Sequence, residues 1–188
     1  MAEDQQRTAA IIDETQRAVK EGRKVLLLTE RTDHLESIRR SLEEHSLKPF
    51  VLHGRMSKKQ RANLVTEIDA LPPDSARILL ATGRLVGEGF DHPPLDTLVL
   101  AMPLSWKGTL QQYAGRLHRE HATKTDVRII DFVDTTHPAL LRMWEMRISA
   151  NVTARSGDRD RFAHRGGAGV DYSDRAVTIS QICLGLSH

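Results

Sequence analysis

Val25-Leu-Leu-Leu-Thr29 is an unbroken apolar run that ends in a threonine, and its pattern decides the fold class. A strand with one face in solvent alternates apolar and polar residues, whereas this run does not alternate. The run is therefore typical of a strand buried on both faces, as in parallel sheets that are covered by helices. Further apolar runs of this kind predict strands at Phe50–Leu52, Arg77–Thr82, Thr97–Met102 and Val127–Val133.

Amphipathic stretches separate these strands. Their spacing predicts helices over Ala9–Glu21, Thr32–His45, Ser57–Ile68, Gly108–Glu120 and Pro138–Ser149. Ser57 is a candidate N-cap, and Gly22 ends the first helix. The alternation predicts an α/β fold, a parallel sheet with helices on both faces in a single lobe. Ligands of such sheets bind at the carboxyl ends of the strands, so the turns that follow strands are the candidate sites.

The composition sets bounds on the class of protein. Of the 188 residues, 39% are hydrophobic and 28% are charged, which fits a globular rather than a disordered chain. The net charge of +2 is too small to require a nucleic-acid partner, so any basic surface must be local. Cys183 is the only cysteine, which favours a reducing compartment. Without a secretory signal or an apolar run of membrane-spanning length, the expected location is the cytoplasm.

The chain divides into three parts by composition. Residues 1–24 are predicted to form an N-terminal helix and the segment that leads into the first strand. Residues 25–150 hold the alternating strands and helices. Residues 151–188 begin with polar, glycine-rich and charged sequence, which predicts a flexible polar tail. Ala176–Leu186 has apolar residues but no evident partner element.

Gln112-Tyr-Ala-Gly115-Arg116-Leu-His-Arg119 follows the pattern Q-x-x-G-R-x-x-R. Two arginines three residues apart lie on one face of a helix. A guanidinium fork fits phosphate oxygens in two-pronged geometry, so the array suits the gripping of a nucleotide triphosphate from outside, as an arginine finger does. An ordinary basic helix with a glycine near its start would give the same local pattern.

A glycine-flanked loop follows the strand that ends at Thr82. Gly87 and Gly89 permit backbone conformations that leave N–H groups free to bind anions. Asp91, at the end of the loop, is placed to accept a hydrogen bond from a ribose hydroxyl. The alternative is a turn whose acid caps the next element.

A third segment, His53 to Arg61, leads from a strand end into a helix start that carries Lys58 and Lys59. Helix N-termini attract phosphate, and nearby cations add to that attraction. A solvated charged face is the alternative.

These segments, taken with Val25–Arg31, stand in the order of helicase motifs IV, IVa, V and VI. Over about residues 10–150 the chain resembles the C-terminal RecA-like lobe of superfamily 2 DNA helicases, of the repair and restriction type among DEAD/DEAH relatives. The resemblance implies that Arg116 and Arg119 reach the γ-phosphate of ATP across a cleft between two lobes, with Gln112 positioning that site. It also implies that the glycine loop faces the nucleotide and that a nucleic-acid path, mostly along backbone phosphates, is lined by Thr29, Arg31, His53, Gly54 and Thr82.

The sequence contains no G-x-x-x-x-G-K-[ST] loop to cradle the β- and γ-phosphates. We therefore expect half of a two-lobed motor that is inactive alone. Its ATP would be shared with an N-terminal P-loop lobe that also holds Mg²⁺, and that lobe is supplied in trans or was lost by truncation. The expected partner is DNA, and no metal site is expected in this chain.

Two other readings stay open. One is a catalytically inactive module, derived from such a lobe, that binds nucleic acid or protein. The other is a nucleotide-dependent transferase of doubly wound fold, which needs a glycine-rich turn after the first strand. Thr29-Glu-Arg-Thr32 has no glycine, which disfavours the transferase.

Overall fold

The structure is a computed structural model that describes residues 2–82, 92–101, 117, 124, 126–134 and 177–185 of the chain. In these ranges the strands form one six-stranded sheet in the order β2-β3-β1-β4-β5-β6. The elements are the helices α1 (Ala2–Lys20), α2 (Thr32–Glu44) and α3 (Lys58–Asp69) and the strands β1 (Lys24–Thr29), β2 (Phe50–Leu52), β3 (Arg77–Thr82), β4 (Thr97–Leu100), β5 (Asp126–Asp134) and β6 (Val177–Gly185).

The first five strands are parallel, which confirms the predicted parallel sheet. β1 lies at the centre, between β3 and β4, with Leu28 opposite Ala81 on one side and Leu100 on the other. The carboxyl ends of β1, β2 and β3 therefore meet at one edge of the sheet.

Both faces of the sheet are covered, as the unbroken apolar strands predict. Val25 and Leu27 of β1 face a core shared with α1 and α2, to which Ile38 contributes. Leu26 and Leu28 face a second core, which includes Ile68 of α3. All four β1 side chains are at most 2% exposed. Burial of one such side chain stabilises a fold by roughly 1.5–3 kcal/mol, so a polar residue at any of them is excluded.

α1 ends as predicted but begins earlier. Gly22 adopts a positive φ of 80°, its N–H donates to the carbonyl of Val19 at 2.9 Å, and Arg23 N–H donates to that of Ala18 at 3.0 Å. This is a Schellman arrangement, for which glycine is the favoured residue. The helix starts at Ala2 rather than Ala9. Its early turns carry exposed polar residues such as Gln5, so no apolar spacing marks them.

β6 departs from the expectation of a flexible tail over residues 151–188. Val177 to Gly185 pairs antiparallel with the whole of β5, from Asp134 back to Asp126. The segment is rich in β-branched residues, which favour strands, and it covers an edge of β5 that would otherwise be open. Residues 177–185 are therefore part of the sheet, and residues 151–176 lie outside the described ranges.

Among the helices of the described ranges, none combines the length and the apolar character that a membrane-spanning segment needs.

Candidate functional site

The carboxyl edge of the sheet brings together most of the residues for which a nucleic-acid contact is predicted. Thr29 and Thr82 end adjacent strands and lie directly opposite each other. Leu52, the last residue of β2, lies opposite Ala81, so His53 and Gly54 leave the sheet beside Thr82. The order of the strands alone creates this juxtaposition, since the carboxyl ends of parallel strands share an edge.

The two threonines lie beneath the surface. Thr29 is 1% exposed and Thr82 is 7% exposed. The Thr29 Oγ1 atom lies 3.1 Å from Nδ1 of His34, a half-buried residue in the first turn of α2. The hydroxyl of Thr29 is therefore engaged within the lobe, and its contact with nucleic acid stays a prediction.

Arg31 lies at the surface of the same edge, in the N-cap position of α2. Its Nε donates to Oδ1 of Asp33 at 3.0 Å, and its Nη2 donates to the other carboxylate oxygen. Oδ1 of Asp33 also accepts a hydrogen bond from the backbone N–H of His34 at 3.0 Å. The hydrogen bonds from Arg31 hold the pKa of the Asp33 carboxyl below its ordinary value. The side chain of the N-cap residue Arg31 accepts no hydrogen bond from the first turn of α2. Asp33 caps this turn instead, by accepting from His34 N–H.

Gly54 lies in an exposed turn, closed by a hydrogen bond from Met56 N–H to the carbonyl of His53 at 3.1 Å. Its φ lies outside the left-handed region, and a Cβ built on it would meet no atom within 4 Å. Neither backbone conformation nor packing therefore requires a glycine here. What the glycine does provide is a backbone that another molecule can approach closely.

α3 begins with a capping box. Ser57 Oγ accepts from Gln60 N–H at 3.2 Å, and the Gln60 side chain accepts from Ser57 N–H at 2.9 Å, which confirms the predicted N-cap. Arg55, Lys58 and Lys59 around this helix start are exposed, and no ion pair joins them to a carboxylate of the described residues.

Other cations of the described residues do have carboxylate partners. Arg23, Arg39 and Arg128 each pair with a carboxylate, at 2.8 Å, 2.6 Å and 2.7 Å. The first turn of α3 also lacks any acidic residue. Cations at a helix N-terminus oppose the helix dipole, so the fold gains nothing from Lys58 and Lys59 there.

Arg7, which no sequence signal singled out, joins α1 to the same edge of the sheet. Its guanidinium donates to the carbonyl of Ala101 at 3.3 Å and to the carbonyl of Phe132. These carbonyls lie near the carboxyl ends of β4 and β5. Arginine contacts to main-chain oxygens across more than ninety residues leave no sequence pattern.

The sequence also does not single out His34 and Asp33 as residues of this edge. Polar residues are common in the first turn of a helix, so these two carry no distinct signal.

The residues predicted to bind ATP lie outside the described ranges: Gly87, Gly89, Asp91, Gln112, Arg116 and Arg119. Within the octet 112–119 the structure describes Leu117, which is helical and 2% exposed. Leu117 belongs to the core on the α3 face, and its carbonyl accepts from Lys124 Nζ at 2.9 Å. Leu117 therefore packs on the same face of the sheet as α3.

Comparison with known proteins adds a family match. The family model for the helicase conserved C-terminal domain matches residues 6–121 of the chain. Uncharacterized protein 108L of Invertebrate iridescent virus 3 is 42% identical over 74 residues, which are 38% of this chain and 64% of that protein. Transcript termination protein A18 of Fowlpox virus is 26% identical over 138 residues, which are 72% of this chain and 29% of that protein. The chain thus spans less than two thirds of the length of either relative.

Among solved structures, the C-terminal part of the Fun30 ATPase domain superposes with a TM-score of 0.60 at 18% identity. The likeness covers 69% of this chain and 41% of that chain. At 18% identity it shows a similar fold and no more. It agrees with the α/β parallel sheet predicted from the apolar strands and with the RecA-like lobe that the resemblance implies.

Proposed function

The chain belongs to the family of helicase conserved C-terminal domains, and from this premise we propose that it is the C-terminal lobe of an ATP-dependent DNA helicase or translocase. Its recognition as a superfamily 2 lobe rests on the family match and on the fold. In this proposal the lobe supplies a surface for the nucleic-acid backbone and arginine fingers for ATP, and it is incomplete without a P-loop lobe.

The observation that carries the proposal is the surface at the carboxyl edge of the sheet. An open glycine turn at Gly54 lies in sequence beside three exposed cations, Arg55, Lys58 and Lys59, which have no carboxylate partner in the described ranges. A phosphate backbone needs close approach to main-chain N–H groups and a local positive charge, and this turn supports both. Such contacts give affinity without sequence preference, which suits a lobe that moves along a strand.

The ATP part of the proposal rests on the family match, which spans every residue of the expected nucleotide site. Arg116 and Arg119 stabilise charge on the γ-phosphate, and Gln112 positions that site. The loop with Gly87, Gly89 and Asp91 lies against the nucleotide. Mg²⁺ and the β- and γ-phosphates are held by a P-loop lobe, because no P-loop occurs among the 188 residues.

The nucleic-acid surface is tested with Gly54→Val in the purified chain. Since a Cβ at Gly54 has open space, we expect an unchanged melting temperature, but a loss of binding to fluorescein-labelled oligothymidylate in fluorescence anisotropy. Gly22→Ala is the control, because Gly22 lies after the end of α1, at the opposite edge of the sheet. We expect this variant to bind the oligothymidylate with unchanged affinity. Equal affinity for Gly54→Val and the unchanged chain would remove this turn from the nucleic-acid path.

The ATP role is tested by complementation with a matching P-loop lobe. We expect DNA-stimulated ATP hydrolysis in the mixture and its loss in Arg119→Ala. Full activity of both Arg119→Ala and Arg116→Ala would contradict the finger assignment.

A second candidate function is a binding module that takes no part in hydrolysis, which the missing P-loop favours. This module would bind DNA with strong salt dependence, and Arg116→Ala and Arg119→Ala would not change its affinity. Absence of ATP hydrolysis with every P-loop lobe tried, together with intact DNA binding, would select the module over the motor lobe.

A further inference from the structure

Asp33 fills the guanidinium fork of Arg31. One N–H donates to each carboxylate oxygen, with Nε 3.0 Å from Oδ1. This two-pronged geometry is the one that arginine uses to bind a phosphate group. The side chains are 66% and 64% exposed, so the pair lies in reach of a ligand from solvent.

Asp33 is also held in place from the other side. Its Oδ1 accepts the backbone N–H of His34, and the first turn of α2 favours a negative charge. The hydrogen bonds from Arg31 lower the pKa of Asp33, so the carboxylate stays ionised at neutral pH. The position of the carboxylate therefore does not depend on Arg31 alone.

We infer that Asp33 is an intramolecular competitor for Arg31, occupying the site of a nucleic-acid phosphate and thereby setting the affinity of this surface. The inference rests on the proposed function, since it deepens the role of Arg31 in the nucleic-acid path. Exposed ion pairs are weak, so a phosphate displaces Asp33 readily. Arg55, Lys58 and Lys59 have no such competitor in the described ranges, and they attract a strand before the exchange at Arg31 takes place.

The test uses the full chain, fluorescein-labelled oligothymidylate and fluorescence anisotropy over a range of salt concentrations. Asp33→Asn keeps a side-chain oxygen for the His34 N–H but removes the charge. We expect its Kd to fall about three- to tenfold. The salt dependence should steepen by about one phosphate contact, because Arg31 then neutralises a phosphate instead of a carboxylate.

Two further variants separate competition from a general change of charge. Glu36→Gln removes the same charge from the next turn of α2, but Glu36 pairs with Arg39 and Arg40 rather than Arg31. Its Kd should stay within about twofold of the unchanged chain. In an Arg31→Ala background, Asp33→Asn should have no effect on Kd.

The outcomes separate the inference from the proposed function. Tighter binding by Asp33→Asn that persists without Arg31, or that Glu36→Gln matches, would overturn competition. Unchanged binding by Asp33→Asn, in a chain whose affinity depends on Gly54, would overturn competition and leave the proposed function standing. Failure of every variant to bind at low salt would overturn both. Binding by Asp33→Asn alone, lost with Arg31→Ala, would support competition strongly.

Discussion

His92 Nε2 lies 3.2 Å from Nη1 of Arg77, and this contact fixes the tautomer of the histidine. A guanidinium offers only N–H donors, so Nε2 of His92 must accept. The ring proton therefore sits on Nδ1, which donates to Oδ1 of Asp69 at 3.0 Å. His92 is the residue at which the chain re-enters the described ranges after residues 83–91. His92, which follows the loop expected to face the nucleotide, is thus held to the start of β3 and the end of α3.

Arg77 is the centre of this polar group, and its loss should destabilise the lobe. Besides His92, its guanidinium donates to the carbonyls of Ile68 at 3.2 Å, Ser75 at 3.1 Å and Pro72. Arg77 is 4% exposed. Arg77→Met would leave these acceptors unsatisfied, and we expect a loss of about 2–4 kcal/mol in the free energy of unfolding in urea.

Arg40→Met is the matched control for Arg77→Met. The Arg40 side chain is 70% exposed and contacts one carboxylate, that of Glu36. The control should change the free energy of unfolding by less than about 0.5 kcal/mol. Similar losses for the two variants would mean that the buried bonds of Arg77 contribute little.

Substitutions just after the ends of α1 and α2 should change the free energy of unfolding in opposite directions. Ser46, two residues beyond the end of α2, has a φ of 60°. Its backbone repeats the arrangement of Gly22 after α1, with Leu47 N–H donating to the carbonyl of Leu42 at 2.9 Å. Ser46→Gly should stabilise the chain by about 0.5–1 kcal/mol, because a side chain resists this conformation. Gly22→Ala should destabilise it by about 1 kcal/mol through the backbone alone, since its Cβ has open space. Thermal unfolding of the two variants measures both changes, and shifts of the same sign would contradict the assignment.

The parts of the fold that follow from local pattern could be predicted from the sequence. The bounds of β2 and β3 match because apolar runs end where polar residues begin. Ser57 is found because an N-cap is a local device. β6 could not be placed, because its partner β5 lies some fifty residues earlier in the chain and sequence alone does not pair them.

The site was predictable in its location and not in its contacts. The meeting of Thr29 and Thr82 follows from the rule that parallel strands share a carboxyl edge. The burial of Thr29 against His34 depends on the angle at which α2 packs, which no motif encodes. The pairing of Arg31 with Asp33 depends on side-chain rotamers, and the same two residues in another turn would both face solvent.

Acid should weaken the fold in part through Glu36. Hydrogen bonds from Arg39 hold the pKa of Glu36 at about 2, below its ordinary value of 4.5. Because the pKa is lower in the folded state, ionised Glu36 stabilises the fold at pH values above 4.5, and this contribution is lost as the pH falls toward about 2. The urea midpoint of the unchanged chain should therefore fall across this window more than that of Glu36→Gln. Glu44→Gln is the control, because Glu44 lies on the same helix without an ion pair in the described ranges. Its urea midpoint should fall across this window as far as that of the unchanged chain.

The cations at the start of α3 should stabilise binding at the expense of folding. Lys58 occupies the first turn of α3, where a positive charge opposes the helix dipole. Lys58→Glu should therefore raise the free energy of unfolding by about 0.3–1 kcal/mol. The same change should weaken binding of labelled oligothymidylate by about tenfold at low salt, because a phosphate then meets an acid. Lys20→Glu makes the same charge reversal in the last turn of α1, next to the opposite edge of the sheet, so it should lower stability and change affinity far less. If Lys58→Glu instead kept its affinity, the basic turn would be a solvated charged face, because a surface that binds phosphate cannot tolerate a reversed charge at its centre.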